Sequence, residues 1–357
     1  MFRGSLFIIF IISLGTLVYG LNLMTKSVGS VAAFVLSTSN INIPILPIPN
    51  TIPLSLVSET ANNGAEPSQR DIQMVQMAFR DFDSKRFDAA DTEFTKAIEI
   101  WENLNRPRDE KVSLVKARAN VRLDNKKFDL AVNDYNKALE LMKIDGEKAD
   151  GTASYPEYVD AYVGRGLAKE GLAAWDDAIK DYDKAISLWG GGRGDNTNPY
   201  VLCYRANSLG RLGKYKEAIL DYEAASNIFI AQRDIDRYSD ARANLALALY
   251  EIGDKDAAVK SMNDVIRKNP GFGDMHVALA ADAWSKGDYI DSLKEWNFVC
   301  DNISTGCKAY QDMQWVETVR RWPPSLVKEL KQFLKREVPD KLQGSGTLAP
   351  AITTTRK

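Results

Sequence analysis

The side chains able to do chemistry are few. In 357 residues there is one histidine, His276, and there are three cysteines, Cys203, Cys300 and Cys307. A single imidazole supplies no repeated Ser/His/Asp option, and the stock of His and Cys is too small for a typical zinc site. Carboxylates abound, as in Asp176–Asp177 and Asp181–Asp183. Their spacing places them on polar helix faces, where they are solvated rather than paired for acid–base work. The run GGGRG at 190–194 follows a helical pattern and lacks the lysine of a phosphate cradle, so it reads as a loop. No catalytic residue, metal site or cofactor is expected, and His276 reads as a packing or surface residue. Cys300 and Cys307 lie seven apart with Gly306 between them. They form a disulfide in an oxidising compartment or remain two buried thiols, and spacing leaves both open.

The elements that would carry such side chains are strongly patterned. A small residue, an aromatic four later and a small residue three after that share one helix face. The triplet recurs as Ala90–Phe94–Ala97, Ala131–Tyr135–Ala138, Ala178–Tyr182–Ala185 and Ala218–Tyr222–Ala225. Weaker copies are Ala258–Met262–Val265 and Ser292–Trp296–Val299. A small residue stands twelve positions before each: Ala78, Ala119, Gly166, Ala206, Ala246 and Ala280. Small residues at Gly166 and Ala178 let two antiparallel helices approach closely, and Tyr182 fills the space beside them.

This register, kept over residues 71–300, resembles the tetratricopeptide repeat, a helix–turn–helix unit that stacks into a superhelix. The resemblance implies an all-α, right-handed α-solenoid of about six helix pairs. Triplet spacings of 41, 47, 40, 40 and 34 depart from the family's roughly 34-residue period, so helices or connectors are longer than usual except between the last two units. The loop KIDGEKADGTASYPEY explains the 47, and RANSLGRLGKYKEAILDYEAAS in the fourth unit comes nearest the family consensus. Asp71 is the expected N-cap of the first helix. After Cys300–Cys307 and Pro323–Pro324, Ser325 is expected to cap a last amphipathic helix that seals the solenoid over 301–339.

In this family the first helix of each pair lines a concave groove. Carried over residue by residue, the candidate peptide-binding positions are Lys116, Asn120, Tyr200, Asn207, Arg211, Asn244, Tyr250 and Trp284, with Cys203 beside them. Asparagine offers a donor and an acceptor to an extended backbone, and aromatics supply flat contact area. The clamp that some members use for a C-terminal carboxylate is incomplete: Gly164 stands where its second asparagine is expected. The resemblance implies a non-enzymatic scaffold for proteins or peptides.

Before residue 59 the only charges are Arg3 and Lys26, which leaves 44 basic against 48 acidic residues beyond it. That balance lacks the basic footprint of a nucleic-acid binder, so an RNA-binding helical repeat is the least favoured reading and no nucleic acid is expected. Residues 1–20 read as a secretory signal peptide, with a membrane anchor as the competing reading. Residues 21–70, acid-free up to Glu59 and rich in Ser, Thr, Asn and Pro, resemble a plastid transit segment. Signal plus transit segment is the bipartite leader of algae with secondary plastids, and the RRWPP ending resembles plastid-targeted repeat proteins of plants and algae. The expectation is a thylakoid-associated or lumenal factor for assembling or maintaining a photosynthetic complex. The alternative is an adaptor or co-chaperone of the endomembrane lumen, or a secreted one. Membrane association is expected only through the N-terminal segment or a partner. Residues 340–357 read as a disordered tail.

Overall fold

The computed structural model describes residues 65–194, 197–304 and 306–336. The expected signal peptide, most of the leader and the 340–357 tail lie outside them. Twelve helices form six consecutive pairs. They are α1 (Gln69–Asp83) with α2 (Phe87–Asn103), α3 (Arg108–Asp124) with α4 (Phe128–Met142), and α5 (Pro156–Gly171) with α6 (Trp175–Leu188). Then come α7 (Pro199–Arg211) with α8 (Tyr215–Ala231), α9 (Ile235–Glu251) with α10 (Lys255–Lys268), and α11 (Gly273–Lys286) with α12 (Tyr289–Asn302). Each helix packs on the next, which is how a solenoid grows without one central core. The buried apolar residues accordingly fall into two long clusters, Val75 to Ala241 and Ala243 to Phe333, with a small cluster around Tyr222 and Leu245 beside them.

The repeated triplet is what closes each pair. All eight of its alanines from Ala90 to Ala225 are fully buried, and so are Phe94 and Tyr182. The small partners on the first helices make room for the rings. A Cβ on Gly166 would sit 2.6 Å from Tyr182 Cε1, and one on Gly164 would sit 2.4 Å from Tyr135 Cζ. Glycine therefore stands at 164 because the Tyr135 ring occupies the space an asparagine would need.

Within each pair the chain reverses through a residue of positive φ placed two before the second helix. It is Lys85, Lys126 and Ala173 in the first three pairs and Gly213, Gly253 and Gly287 in the last three. An L side chain there costs about 1–2 kcal/mol, whereas glycine does not. Ala173→Gly is thus expected to raise unfolding free energy by roughly 0.5–1 kcal/mol, the gain being trimmed by glycine's greater freedom in the unfolded chain. Urea unfolding of the variant checks this, and a loss of stability would contradict it.

Two helix starts differ from expectation. Ser68, not Asp71, is the first N-cap. Its Oγ accepts from the Asp71 N–H at 3.3 Å, while Asp71 Oδ2 accepts from the Ser68 N–H at 2.9 Å, a capping box with Asp71 at the third helical position. Likewise Ser325 does not cap the last helix, α14 (Pro324–Lys335), whose N-cap is Pro323. The Ser325 N–H donates instead to Glu251 Oε2 on α9 at 3.0 Å. Proline supplies the preset φ of the first turn, and a distant carboxylate does the capping.

The C-terminal segment leaves the pairwise stack. Cys300 and Cys307 are joined in a disulfide that ties the end of α12 to a 3-10 turn at Cys307–Gln311. A short α13 (Met313–Thr318) follows. α14 then lies on α11 and α9, two first helices. Leu326, Val327, Leu330 and Phe333 are its buried face, and its ring contacts run from Phe333 to Trp284 and Trp296.

Candidate functional site

The first-helix face is formed by α1, α3, α5, α7, α9 and α11. The eight candidate groove residues do not all stay available on it. Tyr250 and Trp284 are corrections: they are 1% and 0% exposed. The Tyr250 hydroxyl donates to Asp282 Oδ1 at 3.0 Å and to Glu329 of α14, and Lys255 lies over its ring. Trp284 packs against Tyr289 and Phe333. Both are covered because α14 lies on their helices.

Asn120 and Asn207 are half-buried and already engaged. The Tyr135 hydroxyl donates to Asn120 Oδ1 at 2.6 Å, and the Tyr222 hydroxyl donates to Asn207 Oδ1 at 2.7 Å. The same triplet tyrosines that close the helix pairs hold these amides through their oxygens. Lys116 reaches Asp160 on the next first helix at 3.6 Å. Tyr200 is half-buried, edge-on to Phe229 with Arg237 over its ring. Arg211 is exposed above the Trp175 ring. Asn244 is half-buried and has no side-chain partner among the described residues. Tyr200, Arg211 and Asn244, on α7 and α9, are therefore the candidates left most open.

A feature that the groove reading missed runs alongside. Arg118, Arg165 and Arg205 each form a two-pronged bond to an aspartate sixteen residues on: Asp134, Asp181 and Asp221. The remaining guanidinium nitrogen of each donates back to the preceding repeat, to Thr95 Oγ1 at 3.0 Å, Asn136 Oδ1 at 2.8 Å and Asp183 Oδ1 at 2.7 Å. One arginine per repeat thus joins two helices of its own unit and one of the unit before. Arg193 from the glycine-rich loop adds a second cation to Asp221 at 2.6 Å. The recurring Arg-x15-Asp spacing in units two to four was the available signal. It breaks in unit five, where Leu245 and Ser261 hold the two positions.

Glu170 sits between units three and four. Its Oε1 accepts from the Tyr182 and Ser208 hydroxyls, both at 2.9 Å, while its buried Oε2 has no partner. Burial outweighs those two bonds and pushes the carboxyl from its ordinary 4.5 up to about 7. Arg321, on the segment before α14, is near enough for its charge to act on Glu170 and Tyr222. Between about pH 4.5 and about 7 the folded protein holds a proton that the unfolded chain has lost. Stability from this group is full below pH 4.5 and falls as pH rises through 7, by about 3 kcal/mol in all. Glu170→Gln is expected to flatten that stretch of the stability–pH profile, measured by urea unfolding from pH 4 to 8. An unchanged profile would contradict it.

His276 has both ring nitrogens engaged, Nδ1 with Glu295 Oε2 at 2.6 Å and Nε2 with the Pro270 carbonyl at 3.0 Å. It ties the turn before α11 to α12. Among the described residues no group of three or more His, Cys, Asp or Glu is placed to hold a metal ion, and no helix is long and apolar enough to cross a membrane.

Comparison with known proteins agrees with this geometry. The family model for the tetratricopeptide repeat matches residues 239–271, the α9–α10 pair. The match falls on unit five rather than on unit four, the nearer one by motif. Unit five has the short 14-residue second helix α10 and a compact Asn269–Pro270 ending, whereas α8 in unit four runs to 17 residues. No curated protein sequence matches the chain. Among solved structures, a tetratricopeptide repeat protein from Parabacteroides merdae is 14% identical, with a TM-score of 0.52 over 75% of this chain and 100% of that one. YrrB, a repeat protein with an unusual peptide-binding site, is 22% identical over 57% of this chain and 89% of its own, with a TM-score of 0.42. A Rap protein complexed with competence and sporulation factor is 15% identical over 74% and 73%, with a TM-score of 0.46. The helix pairs described above are thus a tetratricopeptide-repeat fold, and residues 239–271 carry that family's own repeat sequence.

Proposed function

We propose that the chain is a non-enzymatic scaffold that binds peptides or protein subunits on its first-helix face, mainly over α3, α5, α7 and α9 as far as Asn244. The observation that carries this is α14. An amphipathic helix already lies on the first-helix face of α11 and α9, buried through Leu326, Leu330 and Phe333. The neighbouring stretch of the same face presents Tyr200, Arg211 and Asn244, which suit a partner segment with apolar, acidic and backbone contacts.

The place of action in this reading is the plastid, at the thylakoid or in its lumen, where the protein would hold subunits during assembly or maintenance of a photosynthetic complex. The acid-free leader up to residue 58 motivates it, and the Cys300–Cys307 disulfide suits an oxidising lumen. The disulfide suits the endomembrane lumen equally, which keeps the adaptor reading as the second one. Proximity labelling from the tagged full-length protein in its source cell separates them. Thylakoid proteins are the expected catch, and endoplasmic-reticulum or secreted proteins would overturn the plastid reading. Loss of the catch in an Arg211→Ala, Asn244→Ala variant is expected if the first-helix face is the binding surface. An unchanged catch would sink that assignment.

A further inference from the structure

A second recess lies away from the open stretch of α3, α5 and α7. It is an open recess of about 850 Å³ where α9, α10, the Pro270 turn, α11 and α12 meet. Its size falls in the range of ligand sites, and its wall is largely apolar, with Ile266 and Phe298 among the lining side chains. Three cations line it, Arg242, Lys260 and Arg267, against one carboxylate, Asp264. Asp264 is already spoken for, accepting from the Tyr238 hydroxyl and from Arg267. The His276 ring is likewise held between Glu295 and the Pro270 carbonyl.

Arg242 and Lys260 have no ion-pair partner among the described residues. The Arg242 Nε is buried and makes no hydrogen bond. A guanidinium whose Nε is unsatisfied gains from an anion that meets its other nitrogens from the recess, more so beside apolar side chains than in water. Elsewhere in this chain the half-buried arginines facing another repeat, Arg118, Arg165 and Arg205, all have carboxylates. Arg242 has no such ion pair, although its charge acts on Asp264, and it lines the recess.

We infer that this recess binds a carboxylate flanked by apolar groups, presented by a partner polypeptide: an acidic side chain between aliphatic neighbours, with the carboxylate on Arg242 and Lys260 and the aliphatic groups on Ile266 and Phe298. The inference rests on the scaffold reading, and names a second contact for the partner, separate from the Tyr200–Arg211–Asn244 stretch.

The test is titration calorimetry of the full chain with acetyl-Leu-Glu-Leu-amide, its neutral counterpart acetyl-Leu-Gln-Leu-amide, and the free organic acid 4-phenylbutyrate, at low and high salt. The acidic peptide is expected to bind at least about tenfold tighter than the neutral one, with affinity falling as salt rises. Arg242→Gln is expected to remove that tenfold difference, and Arg242→Lys to keep part of it. Equal binding of the two peptides, no binding of either, or no effect of Arg242→Gln in a variant whose thermal unfolding is unchanged would overturn the inference. Binding of 4-phenylbutyrate alone would overturn the polypeptide source and leave a small-acid site. The first-helix-face assignment fails separately, through an unchanged proximity catch in the Arg211→Ala, Asn244→Ala variant, which leaves Arg242 intact, and the scaffold reading fails if the full-length protein catches no partner.

Discussion

Truncating Phe333 to alanine is expected to lower the unfolding free energy by about 3–5 kcal/mol, among the largest effects of any single change in this chain. The ring is fully buried and lies edge-on to both Trp284 and Trp296, with centroids at 5.5 and 5.2 Å. It is the point at which α14 is held to the last pair. Removing it leaves a cavity between two indoles that cannot collapse without moving α14. Tryptophan emission should shift to the red as Trp284 and Trp296 meet water, and urea unfolding should start earlier. A loss below about 1 kcal/mol with unchanged emission would mean that α14 is held by its polar contacts, those of Glu329 and Glu251, instead. The change also bears on function. With α14 loosened, Tyr250 and Trp284 return to the first-helix face, and the surface open to a partner lengthens toward α11.

Replacing Asp221 by alanine is expected to cost a comparable amount, about 3–5 kcal/mol. Its side chain is completely buried, and two arginines converge on it: Arg205 at 2.7 and 2.8 Å and Arg193 at 2.6 Å. Alanine would leave Arg205, itself only 13% exposed, with the more exposed Asp183 at 2.7 Å as its remaining counter-ion. The penalty belongs mainly to the cations that lose Asp221, Arg205 in part and Arg193 wholly, rather than to the pair. A paired change, Arg205→Met with Asp221→Leu, is therefore expected to recover much of the loss, since well-packed apolar residues replace buried ion pairs at little cost. Denaturant unfolding of the three proteins gives the comparison. A double variant as unstable as Asp221→Ala would show that the geometry of the pair, and not its charge, holds the two helices of unit four together.

The helix pairs were legible because their cause is local. Ala–aromatic–Ala at four and three residues apart faces one way on any helix, and its repetition in phase twelve residues after a small residue leaves few folds open. The Gly166–Tyr182 contact followed from the same reasoning and is present at the distance of a direct fit. The arginine ladder was equally legible in principle, because its sixteen-residue register repeats three times. Charged residues on helix faces read as solvated when each is considered singly, and that hides the ladder.

The groove candidates were less legible, and the reason is distance along the chain. Whether Tyr250 and Trp284 face a partner depends on Glu329 and Phe333, about eighty and fifty residues away, in a helix whose own sequence announces an amphipathic face but not where it docks. Asn120 and Asn207 are oriented by tyrosines fifteen residues on, a contact set by how two helices cross. The recess beside Arg242 arises where four helices and a turn meet, and no short window of sequence contains it. Sequence alone determined that this chain is a stack of helix pairs with one histidine and three cysteines, because both follow from residue type and local spacing. Only the tertiary structure decided which polar side chains remain free for a partner, because exposure is set by what packs on a residue from elsewhere in the chain.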